Sequence, residues 1–191
     1  MEVRTYVCLF DLKAYDDRVA PAMRRYVREF DPAGVVALLE KLEGDYKHWI
    51  DSIGPDKGFK PTERTVQELC DILIPAVCLP KEPGLRPMQE VDTLAPWLSQ
   101  YSEWFADMME GGEELAGGRL EFGFGDGRLV ATKEQIAQFL EELEEIKPPT
   151  GALSVLAKDF ANLRKLLERA AAVKNYTLFR TAMAMDPAPP L

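Results

Sequence analysis

The carboxylates after the first apolar segment are the residues of this chain with the clearest potential for chemistry. Asp11, Asp16 and Asp17 follow the run from Tyr6 to Phe10, and ligand sites beside sheets tend to form at the carboxyl ends of strands. Carboxylates converging there could hold a hard cation such as magnesium, which polarises a scissile bond and activates water. That is the basis of a metal-dependent hydrolase. The spacing, however, lacks a close Asp-x-Asp pair and any lysine or Ser/Thr partner pattern. Asp16 and Asp17 also have an ordinary use, offsetting a helix dipole and capping its free amides. Helix capping is therefore the preferred expectation, with no metal or cofactor, and the hydrolase stands as the alternative.

Other catalytic sets are short of parts. His48 is the single histidine, so histidine-rich zinc sites are excluded. There is no G-x-S-x-G to supply a serine nucleophile. His48 falls beside Trp49 and Ile50 but off their face, which predicts an exposed or rim position. Gly123, Gly125 and Gly127 do not form a nucleotide loop, because they separate two strand-like segments instead of joining a strand to a helix. Cys8, Cys70 and Cys78 sit among apolar neighbours with no C-x-x-C spacing, which predicts reduced, buried thiols and a cytoplasmic protein.

Charge patterning points to binding. Arg18, Arg24, Arg25 and Arg28 cluster on one predicted helix, and Arg24 and Arg28, four apart, could clamp a carboxylate or phosphate. Glu141, Glu142, Glu144 and Glu145 fall opposite an apolar face of Phe139, Leu140, Leu143 and Ile146. Such an acidic face keeps a protein soluble and also steers a basic partner toward it. Trp97, Tyr101 and Trp104, with Phe105 and Met108, form an aromatic stripe suited to a core or to interface anchors. Lys and Arg number 23 against 32 Asp and Glu, a net charge of -9. A surface so negative would repel a phosphate backbone, so nucleic acid is not an expected partner.

The elements that must position these residues follow from periodicity. Val3 to Leu12 reads as a buried strand. A helix is expected from about Arg18 to Phe30, with Pro21 in its first turn and Ala22, Met23, Tyr26, Val27 and Phe30 on its apolar face. Asp31 and Pro32 signal a restart, and Asp45 to Ile53 a short further helix. Thr65 and Glu68 suggest a capping box for a helix that Pro75 ends or kinks. Leu79 to Met88, with three prolines and a glycine, reads as a surface connector. A helix is expected over 93–109 and a hairpin over 120–131. Thr132 and Gln135 form a second capping box, opening a helix that Lys147, Pro148 and Pro149 stop. A last helix runs from about Leu153 to Val173, and Tyr176 to Met183 favours a strand over continued helix.

These readings predict an α+β fold, several helices packed on a small, mostly antiparallel sheet. At 191 residues, one domain over 1–185 is expected, with a possible subdivision near 79–90 and a frayed tail over 186–191. Acidic Glu2 and the short apolar run closed by Asp11 predict no export signal, and no apolar stretch is long enough to span a membrane. The functional expectation is a small acidic cytoplasmic protein without catalytic machinery. It docks or neutralises a basic protein, in the manner of an inhibitor or a toxin-immunity protein.

Overall fold

Residues 3–53, 60–88, 91–102, 120–123, 128–129 and 131–184 are described by a computed structural model of the chain. They divide into two compact units, one drawn from residues 1–11, 80–120 and 125–191, the other from residues 12–79 and 121–124. One crossing between them falls at Leu79 and Pro80. The fold is α+β.

The first unit is built on three strands, β1 (Val3–Asp11), β2 (Arg128–Leu129) and β3 (Tyr176–Ala184). Their order is β1-β3-β2 and both pairings are antiparallel. Tyr6 to Phe10 are all buried, so β1 is covered on both faces and its apolar run is continuous instead of alternating. Val7, Leu9 and Leu178 join the helical core. On the opposite face Phe10 stacks on Phe179 at 4.9 Å between ring centroids. The remaining edge of β1 pairs with Met88: the Val7 N–H donates to the Met88 carbonyl at 3.1 Å, and the Met88 N–H to the Val7 carbonyl at 2.7 Å. The stretch expected as a surface connector thus ends in a fully buried methionine, because an unpaired strand edge favours any segment that satisfies its amides.

Helices α6 (Val91–Leu98), α7 (Lys133–Glu145) and α8 (Ala157–Ala172) supply the rest of this core. Leu94, Trp97, Phe139, Leu143, Phe160 and Leu163 pack within it. Helix α6 is shorter than the helix expected over 93–109; it ends at Leu98, and residues 103–109 lie outside the described residues. The Thr132 and Gln135 box forms as expected, each side chain accepting from the other's backbone N–H. The Lys133 ammonium donates to the Ala170 and Val173 carbonyls at the end of α8, where unpaired carbonyls favour a cation. A 3-10 turn, Gly151–Leu156, precedes α8. The hairpin expected over 120–131 is absent from its described part: Glu121 and Phe122 form a bend. Arg128 and Leu129 pair with Arg180 and Phe179 of β3.

In the second unit α1 (Leu12–Ala14), a π-helical turn (Tyr15–Val19) and α2 (Ala20–Glu29) follow without a break. The helix therefore begins at Leu12, not near Arg18, and Pro21 sits well inside it. Proline cannot donate and crowds the carbonyl four residues back; the widened π turn directly before it accommodates that defect. Phe30 departs from its expected apolar face. It ends α2 in the left-handed region at φ 55° and is 55% exposed.

Helix α3 (Ala33–Leu39) starts where the Ala33 N–H donates to the Asp31 carboxylate at 2.9 Å. It approaches α2 closely, since a Cβ on Gly34 would lie 3.1 Å from that of Ala22. Helix α4 (Lys47–Ile53) follows. Helix α5 (Glu63–Cys78) is capped by Thr62, whose hydroxyl accepts from the Thr65 N–H at 3.1 Å. The expected box from Thr65 to Glu68 is not used, and Glu68 takes Arg64 at 2.8 Å instead. The helix continues through Pro75 to Cys78 and buries Leu69, Leu73 and Ile74.

Candidate functional site

Helix α7 carries one lysine and five glutamates in its 13 residues. Phe139, Leu143 and Ile146 are buried, which turns Glu141, Glu144 and Glu145 to solvent. Glu142 is half-buried. It accepts from the Gln138 amide at 3.1 Å, and its Oε2 is buried without a partner among the described residues. Arg164 of α8 lies 3.7 Å from Glu144. The four glutamates are thus not equivalent: three form the charged face, and the fourth is drawn partly into the protein.

The aromatic residues divide between core and surface. Trp97 is buried and meets Phe160 edge-on at 5.5 Å and Tyr101 at 5.2 Å. Tyr101 is 55% exposed. Trp104 lies outside the described residues. Phe160 and Arg164 are one turn apart on α8, so the aromatic pair and the glutamate face border the same helix.

Arg24 and Arg28, expected to clamp an anion, meet on a carboxylate of the chain itself. Arg24 donates from Nη2 to Glu121 Oε2 at 2.5 Å and from Nε to Oε1 at 3.4 Å, and Arg28 Nη2 donates to Oε1 at 3.1 Å. The Arg24 hydrogen bond, aided by both positive charges, holds the Glu121 carboxyl below its ordinary range. Arg25 pairs instead with Asp31 and Glu29. The next residue, Phe122, is held by Tyr15. The Tyr15 hydroxyl donates to the Phe122 carbonyl at 3.0 Å and accepts from its N–H at 2.9 Å. Burial pushes the Tyr15 hydroxyl up to about 12. Neither Tyr15 nor Glu121 stands out in the sequence, where these contacts span 107 and 97 positions. No helical or strand periodicity could link them.

The aspartates take other places. Asp11 closes β1 opposite Tyr176. Asp16 and Asp17 are exposed in the π turn, and because the helical run begins at Leu12 they do not cap its start; Asp17 pairs with Lys13. Among the described residues no three His, Cys, Asp or Glu side chains are grouped so as to hold a metal ion. His48 is exposed and tilted against Trp49 at 5.6 Å. Cys8, Cys70 and Cys78 are free and buried, and burial pushes the Cys8 and Cys70 thiols up to about 12.

One further cluster escaped the sequence. Arg169 of α8 holds Glu82 through Nε at 2.6 Å and Nη2 at 2.8 Å, and its guanidinium lies 5.9 Å from the Tyr176 ring centroid. The Arg169 hydrogen bond keeps the Glu82 carboxyl below its ordinary range. This anchors the proline-rich stretch to α8, a structural task.

Among the described residues no helix is long and apolar enough to cross a membrane. No protein-family model, curated protein or solved structure matches the chain.

Proposed function

We propose that this protein is a non-catalytic binding protein that docks a basic protein partner, in the manner of an inhibitor or an immunity protein. The supporting observation is the face of α7, where Glu141, Glu144 and Glu145 are exposed together and one arginine, Arg164, offsets them at 3.7 Å. Such a face gathers a cationic partner by long-range attraction, and exposed Tyr101, braced by Trp97, offers an aromatic anchor for the contact that follows. The net charge of -9 adds to that attraction and disfavours nucleic acid as the partner. A cytoplasmic location accords with three free cysteines. The alternative, a hydrolase, asks three carboxylates to converge on a cation, and no such group of three is found among the described residues.

The test compares the wild-type chain with the triple variant Glu141→Gln, Glu144→Gln, Glu145→Gln as bait in lysate of the native cell. A basic protein retained by the wild type at low salt, released at high salt and lost with the triple variant supports the reading. Equal retention by both baits refutes it.

A further inference from the structure

The contacts made by Glu121 and Phe122 have the form of peptide recognition. Three side chains from one helical run read two successive residues. Arg24 and Arg28 take the carboxylate of the first, and Tyr15 takes both backbone groups of the second. The bound segment comes from 93 to 107 positions away in the chain, so it reaches the helix as a ligand would. The requirements are chemical and few: a carboxylate of glutamate reach, then a residue that has an N–H, which excludes proline. The forked Arg24 guanidinium matches a carboxylate at two points. The Tyr15 hydroxyl, part-buried at these contacts, acts there as donor and as acceptor at once, and removing such a bond from a part-buried group is costly. The π-helical turn that carries Tyr15 is a feature often found at functional sites.

We infer that Tyr15, Arg24 and Arg28 form an acidic-peptide site that the chain's own Glu121 and Phe122 occupy, and that a segment of another protein with glutamate before a non-proline residue can take their place. This surface is distinct in charge and location in the chain from the glutamate face of α7. The tethered occupant acts at an effective concentration of order millimolar, so it masks the site until it is weakened or outcompeted.

The probe is the tetrapeptide acetyl-Leu-Glu-Phe-Gly-amide, the sequence of residues 120–123, titrated by calorimetry into the wild-type chain and into Glu121→Ala. The variant should bind it at least about tenfold more tightly than the wild type, and a peptide with glutamine for glutamate should lose about tenfold. Adding Tyr15→Phe to the variant should weaken binding severalfold. Equal binding by wild type and variant, or no binding by either, overturns the inference. So does equal binding of the glutamate and glutamine peptides. If Glu121→Ala fails to fold, hydrogen exchange of the wild-type Phe122 amide decides: excess tetrapeptide should speed it, and an unchanged rate overturns the inference.

Discussion

The Tyr15 hydroxyl closes both hydrogen bonds of the Phe122 backbone, donating to its carbonyl at 3.0 Å and accepting from its N–H at 2.9 Å. In this respect a side chain does the work of a strand partner, and it explains why residues expected to begin a hairpin form a bend instead. The partially buried site leaves few alternative partners for these groups.

Replacing Tyr15 by phenylalanine keeps the ring and removes both bonds. The expected loss is about 1–3 kcal/mol of stability, since two hydrogen bonds disappear and two backbone groups lose their partner. Denaturant unfolding would measure it, and exchange of the Phe122 amide should quicken in the native state. Unchanged exchange would show that Tyr15 does not hold this segment.

Glu121 makes stability depend on acid. Its folded carboxyl ionises below the ordinary value, near 4.3 for a free glutamate, so the unfolded chain binds more protons in the interval between the two. The contribution is therefore complete above the unfolded value and disappears as pH falls through the folded one. The stability difference between wild type and Glu121→Gln should be greatest near neutral pH, decline once pH drops below the free glutamate value of about 4.3, and shrink with salt because the pair is exposed. A difference that does not vary from neutral pH to pH 3 would contradict the Arg24 pairing.

Phe30 and Phe139 should respond to substitution in opposite directions. Phe139 is fully buried, and Phe139→Ala should cost about 3–5 kcal/mol. Phe30 holds a left-handed backbone at φ 55° while more than half exposed, a position that glycine occupies without strain. Phe30→Gly should raise stability by about 0.5–1 kcal/mol, because the left-handed strain it relieves, roughly 1–2 kcal/mol, exceeds the entropic cost of glycine. Thermal or chemical unfolding of the two variants checks both signs.

The thiols should resist modification. Cys8, Cys70 and Cys78 are buried, and the thiolate is the reactive form. With Cys8 and Cys70 pushed up to about 12, a disulfide reagent at pH 8 should label the native chain negligibly and all three cysteines in denaturant. Rapid native labelling would place a thiol at the surface.

What the sequence determined by itself was whatever neighbours in the chain decide between them. Thr132 and Gln135 are three apart, so their reciprocal cap is legible. The β-branched and aromatic residues of Tyr176 to Met183 mark a strand, and the apolar runs around the cysteines mark burial. The α+β class follows from such local signals. Their limits are visible at Thr62, which caps α5 where Thr65 offered an equally good local signature, and at Pro75, which the helix absorbs because its buried face outweighs one lost hydrogen bond. Only the tertiary structure decided that β3 lies between β1 and β2, that Met88 completes the edge of β1, and that Glu121 occupies the clamp of Arg24 and Arg28. Each of these joins groups far apart in sequence. Their energies come from satisfying polar groups and burying surface once the chain has folded back on itself, and a sequence pattern repeating every two or four residues holds no trace of them.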